Sequence, residues 1–151
     1  MANSQAMCTS FKGEILSGIH ALGTTVVRAG TGADTLKAAL YFASASLGAG
    51  TTVYSATGEV TGTNYSAGGI TITNATAPTT SGTTAYWTPS ASFSWSNVTI
   101  STAFDAVLLY NSTQSNKAIS VSTFSSQTIT AGTFTLTMPT NAASTALLNI
   151  A

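Results

Sequence analysis

The stretch Thr133-Phe134-Thr135-Leu136-Thr137-Met138 alternates strictly between hydroxyl-bearing and apolar side chains. Because successive side chains of a β-strand point to opposite faces, the alternation predicts a strand with one face in a core and the other in water. Similar short segments recur about every ten residues in the second half of the chain, which is typical of sandwiches and barrels. The candidate strands are 70–74, 85–87, 92–95, 98–101, 104–110, 118–124, 127–129, 133–138 and 146–150. The pattern predicts an all-β sandwich, with a jelly roll as one candidate topology.

A short helix is predicted near the beginning of the chain. Four apolar residues fall on one helical face at spacings of four, four and three: Phe11, Ile15, Ile19 and Leu22. Ser10 can cap the helix at its start and Gly23 can end it. A helix of this length is marginal alone, so we expect it to pack on a sheet or on a neighbouring subunit.

The segment after the helix reads as a linker through residue 34. Residues 35–43 follow, and their Leu, Lys and Ala content favours a helix whereas their length and glycine-rich flanks favour a strand. We take the strand. The predicted organisation is an N-terminal helix and linker arm over residues 1–34, followed by a β-sandwich domain over residues 35–151.

The stretch Thr57–Ile72 gathers Glu59, Tyr65 and four glycines between two β-like runs. It predicts strand, loop and strand, with Gly68-Gly69 supplying positive φ where the chain turns back. No helix and no Lys-Ser/Thr follow these glycines, so the stretch does not form a phosphate-binding loop. We expect Glu59 to act as a local cap or ion-pair partner, with Lys37 or Lys117 as the candidate partner.

Composition limits the classes of partner. Charged residues make up 5% of the chain and the net charge is zero, whereas an average soluble domain has about 25% charged residues. Such a neutral, Thr- and Ser-rich surface suits an extracellular or particle-bound protein that packs against neighbours. Four basic residues cannot form the stripe that follows nucleic-acid phosphates, so we expect no nucleic-acid partner.

The single cysteine, Cys8, cannot form an intrachain disulfide. No apolar run approaches the ~18 residues of a membrane span, so we expect no membrane partner. The first ten residues lack the basic and apolar regions of a secretory signal. We therefore expect synthesis in a cytoplasm without signal-directed export.

The residues that could carry chemistry are few. His20 is the only histidine, and Glu14, six residues away, would not share its face on a helix. No metal-ligand spacing and no Gly-x-Ser-x-Gly motif occurs. Glu59 and Asp105 could form a carboxylate pair of the glycosidase type, but nothing in their spacing is specific. We expect no enzyme activity, no metal and no cofactor, with His20 at the surface or in an interface.

Trp87 and Trp95 lie in an aromatic cluster with Tyr86 and Phe93. If exposed, the two tryptophans could stack on sugar rings, whereas in a small sandwich aromatic residues at period two usually belong to the core. Both alternatives stay open at this point.

Four segments together resemble a family of small virion proteins of tailed bacteriophages. Ser10–Leu22 is similar to the short N-terminal helix of that family, and Asp34–Tyr41 to its first strand. Glu59–Ile70 resembles its Glu-Val-x-Gly-x-x-Tyr-x-x-Gly-Gly segment, and Ala106–Asn111 resembles a later buried strand. The Thr-rich C-terminal third has no counterpart, and the chain has fewer acidic residues than such proteins.

The resemblance implies a structural protein of the virion, made in the host cytoplasm, that decorates and stabilises the capsid. It implies the major capsid protein as partner and a dimeric or trimeric homo-oligomer. We expect the helix to dock through Phe11, Ile15 and Ile19, and a contact loop at 63–69 that includes Tyr65, Gly68 and Gly69.

The main alternative is a tail or fibre protein whose β-domain binds a receptor glycan through Trp87 and Trp95. A cell-surface adhesin or pilin-like subunit is a third candidate, although the missing secretory signal disfavours it.

Overall fold

The computed structural model of the protein describes residues 2–16, 18–23 and 33–151. Two long strands organise this part of the chain. The elements are β1 (Ala6–Met7), α1 (Thr9–Leu16), β2 (Leu36–Phe42), β3 (Ile70–Thr71), β4 (Thr79–Ser81), β5 (Thr84–Trp87), β6 (Phe93–Asn111), β7 (Lys117–Leu136) and β8 (Leu148–Ile150). They form two antiparallel sheets that pack against each other, which confirms the predicted β-sandwich with a short N-terminal helix.

The larger sheet has the order β1-β7-β6-β2-β3 and the smaller one the order β4-β5-β8. The sheets thus have five and three strands, and the consecutive strands β6 and β7 pair along their whole lengths. This topology differs from the double Greek key of a jelly roll. The prediction of many short strands also fails here, because six of the candidate segments merge into β6 and β7.

The β6–β7 hairpin is strongly bent. Its pairing shifts register at five places, and bulges of this kind bend a strand and increase its twist. Gln127, which lies opposite Phe104, is seven residues from Phe134, or roughly 23 Å along a straight strand. The rings of Phe104 and Phe134 are nevertheless only 5.3 Å apart. The hairpin therefore curls around the core, and Trp95 and Phe124 join the same aromatic cluster.

Strand β2 lies between β6 and β3 and confirms the strand predicted over residues 35–43. Ala38, Ala39, Leu40 and Tyr41 are all buried. Their consecutive apolar run, which left helix and strand open in the sequence, is what a strand covered on both faces requires.

The helix is shorter than predicted. It begins at Thr9, so Ser10 lies inside it and not at its cap, and it ends at Leu16 instead of near Gly23. The N–H of Gly18 donates to the Ile15 carbonyl and the N–H of Ile19 to the Glu14 carbonyl, at 3.0 Å each. Gly18 has a φ of +67°. This hydrogen-bond pair around a left-handed residue is the Schellman motif, which ends the helix before the apolar pattern ends.

The N-terminal segment shares the core of the β-domain. Strand β1 pairs with β7, and Cys8 and Phe11 are fully buried in the same cluster as the sheet residues. The predicted boundary at residue 34 thus does not separate two cores. The predicted linker falls largely on residues 24–32, which lie outside the described residues.

Candidate interaction surface

The predicted contact loop is built over a buried carboxylate. Glu59 is 6% exposed, and its Oε1 accepts hydrogen bonds from the Tyr65 hydroxyl and the Gly68 N–H, both at 2.8 Å. Its Oε2 accepts from the Tyr54 hydroxyl at 2.6 Å. Burying a charge without partners is costly, and here three neutral donors stabilise it. Its partners are thus local, but they are tyrosines and a backbone N–H, and Lys117, one of the two lysines named from the sequence, pairs with Glu14 instead.

The tyrosines around Glu59 act as donors. Burial, and then the nearby Glu59 carboxylate, raise the pKa of Tyr54 and Tyr65 well above the ordinary value. Both hydroxyls therefore stay protonated. The ring of Tyr110 stacks on Tyr54 with centroids 4.7 Å apart, and its hydroxyl donates to the Gly68 carbonyl at 2.8 Å. This Glu59 cluster fixes the base of the loop.

The glycine pair turns the chain as predicted. Gly68 and Gly69 have φ values of +83° and +69°. A Cβ at Gly69 would lie 1.8 Å from the carbonyl oxygen of Ala38 on β2, so only glycine allows the loop to approach the sheet this closely. The two glycines serve packing against β2.

The parts of the loop that face solvent differ from the residues named from the sequence. The Tyr65 hydroxyl points into the Glu59 cluster and Gly68 is buried, whereas Asn64, Ser66 and Ala67 are exposed. The loop remains a candidate contact surface through these tip residues.

The residues predicted to form the docking face of the helix also differ from one another in burial. Phe11 is fully buried and packs edge-on against the His20 ring with centroids 4.7 Å apart, so it cannot contact a partner. Ile15 and Ile19 are half-buried. Of the three residues expected to dock, these two keep surface for a neighbour.

Burial also decides between the two roles considered for Trp87 and Trp95, sugar stacking and core packing. Trp87 and Trp95 are 2% and 3% exposed. The indole N–H of Trp87 donates to the Thr76 carbonyl at 3.0 Å, and Trp95 packs on Phe134. A sugar ring needs an open aromatic face to stack on, and neither indole offers one. The structure places both in the core.

His20 is the centre of a second polar cluster that the sequence did not reveal. Its side chain is 1% exposed, and its Nε2 lies 2.7 Å from Glu14 Oε2. Glu14 also accepts a hydrogen bond from Lys117 Nζ at 2.5 Å. The expectation of a surface histidine without Glu14 beside it is wrong, because the turn at Gly18 brings the chain back over the last turn of the helix.

The other side of His20 meets the hairpin turn. Asn111, fully buried at the end of β6, donates from Nδ2 to His20 Nδ1 at 3.0 Å and to Asp34 Oδ2 at 2.8 Å. Since Nδ1 accepts, Nε2 carries the proton that is donated to Glu14. Both ring nitrogens therefore have partners within the fold, which leaves neither available as the base of a Ser-His-acid triad.

Electrostatics hold Glu14 ionised. Burial alone would raise the pKa of Glu14, but the hydrogen bonds from Lys117 and His20 outweigh it and lower the pKa below the ordinary value. Burial raises the pKa of the Cys8 thiol to about 11. Cys8 is therefore an unreactive core residue, because the thiolate is the reactive form.

An apolar groove lies between the helix and the smaller sheet. Its volume is about 190 Å³. Among its lining residues are Ile15, Leu22, Tyr86, Leu148 and Ile150.

The remaining surface is nearly free of charge. Residues 60–104 and 118–151 contain no Asp, Glu, Lys, Arg or His. Each acidic residue has a partner within the fold: Glu14 and Glu59 in the two clusters, Asp34 with Asn111, and Asp105 with Asn3 at 2.6 Å. What the chain offers outward is largely hydroxyl, amide and methyl groups.

Neither a metal-binding cluster nor a membrane-spanning helix is seen in residues 2–16, 18–23 and 33–151. In that part of the chain, His, Cys, Asp and Glu side chains do not gather in threes as metal ligands would. Nor does any helix there have the length and apolar character needed to cross a membrane.

Comparison of the chain with family models, with curated proteins and with solved structures found no match.

Proposed function

We propose that this chain is a structural subunit of a tailed-phage virion, a decoration protein that binds the shell of the major capsid protein and stabilises it. The observation that carries the proposal is the neutral surface, in which the acidic groups have partners inside the fold and two long segments bear no charge. A protein with so little charge lacks the repulsion that keeps free monomers apart in solution. Such a surface is suited to permanent packing against neighbours.

Contacts of this kind act through shape, apolar area and neutral hydrogen bonds. Each is weak, but repetition over a symmetric shell makes the whole coat stable, because binding at one site raises the effective concentration at the next. The resemblance of the helix, the first strand and the Glu59–Ile70 segment to small virion proteins supports the same function.

The contact residues that fit the proposal keep surface for a neighbour. They are the half-buried Ile15 and Ile19 on the N-terminal segment and the exposed loop tip at Asn64, Ser66 and Ala67. Deleting the N-terminal segment would not isolate docking, since Cys8 and Phe11 belong to the core and their loss would also destabilise the sandwich.

The test is to image virions that carry the chain and to measure its binding to shells from which it has been stripped. We expect symmetric density on the head, and binding that persists at about 1 M salt, where the Debye length is about 3 Å. Ala67→Lys should weaken binding, whereas the matched control Thr83→Lys, in the exposed β4–β5 turn, should not. Density confined to the tail, or release by salt, would overturn the proposal.

A further inference from the structure

Strand β8 forms an open edge of the smaller sheet. On one side it pairs with β5, with Ile150 opposite Ala85 and Leu148 opposite Trp87. On its other side no strand of the described residues pairs with it. Natural sheets protect exposed edges by shortness, by charged residues or by proline, among other devices. Strand β8 is short, at three residues, but Leu148-Asn149-Ile150 contains neither a charged residue nor a proline.

The same edge carries an exposed apolar side chain. Ile150 is 44% exposed, and the only other large apolar side chain exposed to this degree in the described part of the chain is Val53, at 46%. Ile150 and Leu148 both line the apolar groove beneath helix α1. An unpaired edge beside a groove for alternate side chains is the arrangement that accepts an added strand.

We infer that the β8 edge binds a second copy of this chain, by antiparallel pairing of the two β8 strands about a two-fold axis at Asn149. This pairing sets Leu148 of each copy opposite Ile150 of the other, on the face that lines the groove. The edge is self-complementary, because each copy supplies one Leu and one Ile and neither brings a charge. The two small sheets then form one continuous six-stranded sheet, in the order β4-β5-β8 and, from the second copy, β8-β5-β4.

The chemistry of the edge favours a second copy over an unrelated peptide. A two-fold interface needs a patch that matches itself, and a stretch with apolar residues on both sides of a central Asn does so when reversed. Pairing also covers the Ile150 side chain, which otherwise stays in water.

The interface is small. Three residues on each side bury less than the roughly 1,200 Å² of stable complexes. Self-pairing is therefore weak in dilute solution and becomes effective where many copies are held close together, as on a shell. The inference gives the expected homo-oligomer a defined surface. It is tested on the isolated chain, so its failure would leave the capsid-binding experiment unaffected.

The direct test is Asn149→Cys. In the proposed pair the two Cβ atoms at position 149 lie about 4.5–5.5 Å apart, within reach of a disulfide or a short bismaleimide. Cys8 is fully buried and gives no background. We expect cross-linked dimers at high protein concentration from Asn149→Cys and none from the control Val53→Cys. Equal yields from the two variants, or no cross-link from either, would overturn the inference.

A second measurement uses the chain without an added cysteine. Light scattering over a concentration series should show a monomer–dimer equilibrium. Ile150→Lys should weaken it by about tenfold or more, because it buries an unpaired charge, and Val53→Lys should leave it unchanged. Circular dichroism of both variants checks that the sandwich is folded. A chain that is monomeric throughout, or that dimerises equally well with Lys at position 150, would exclude this interface.

Discussion

The carboxylates of Glu59, which is buried, and of Glu14, which is partly buried, are held in different ways. Glu59 is surrounded by neutral donors, two tyrosine hydroxyls and one backbone N–H. Glu14 is held by the Lys117 ammonium and by the Nε2–H of His20. In both regions a glycine with positive φ turns the chain back onto its carboxylate, Gly68 in the loop and Gly18 after the helix.

The two clusters also differ in the parts of the fold that they connect. The Glu59 cluster draws its side-chain partners from the same or a neighbouring loop and ties that loop to β2. The Glu14–His20 cluster joins the helix to the turn between β6 and β7. Its Lys117 side chain is 34% exposed. We expect the first to be the greater source of stability and the second to be the more sensitive to pH.

The largest effect should come from Glu59→Ala. It leaves two tyrosine hydroxyls and the Gly68 N–H without their acceptor. Each buried donor left unpaired costs about 1–3 kcal/mol, so we expect a loss of roughly 3 kcal/mol or more. Urea unfolding followed by circular dichroism measures the loss. Glu59→Gln keeps one acceptor oxygen and should cost less. If Glu59→Ala costs no more than Glu14→Ala, the ranking of the two clusters is wrong.

Two of the positive-φ glycines, Gly69 and Gly18, give the next effect. Gly69→Ala adds a Cβ 1.8 Å from the Ala38 carbonyl oxygen, whereas a Cβ at Gly18 meets nothing within 4 Å. Gly18→Ala should therefore cost only the left-handed backbone term of about 1–2 kcal/mol. Gly69→Ala adds a steric clash and should cost about 2–4 kcal/mol in total. Thermal unfolding of the pair measures the difference, and equal losses would show that β2 yields to the loop without cost.

Local features and contacts between distant residues differ in how well the sequence predicted them. The all-β class, the β2 strand and the turn at Gly68-Gly69 follow from patterns within a few residues, and they are confirmed. The burial of Trp87 and Trp95 was one of two alternatives, and the sequence could not choose between them because alternation does not say which face is covered.

The His20 cluster could not be predicted, because it depends on residues far apart in the chain. Glu14 meets His20 only because the chain turns back at Gly18, and Asn111 reaches His20 and Asp34 only after the hairpin has formed. The apolar spacing through Leu22 favoured a longer helix, and the competing signal was the glycine at position 18. The merging of six predicted strands into β6 and β7 has a similar cause, since bulges bend a strand at points where its apolar pattern breaks.

The smallest effect should be the pH dependence of the Glu14 cluster. The pKa of Glu14 is lowered in the folded state, so the carboxylate stabilises the fold fully above the unfolded pKa of about 4.3. This stabilisation is lost as the pH falls through the folded pKa. Glu14→Gln should cost about 1–2 kcal/mol near neutral pH.

The measurement is the urea midpoint of the wild-type protein and of Glu14→Gln, from neutral pH down to about pH 3. The gap between the two proteins should close as the pH falls below about 4.3. Lys117→Met should flatten the wild-type dependence, because it removes one of the two hydrogen bonds that lower the pKa of Glu14. A gap that stays constant with pH would mean that Glu14 acts through packing and not through charge. The contrast with the neutral donors of Glu59 would then lose its electrostatic basis.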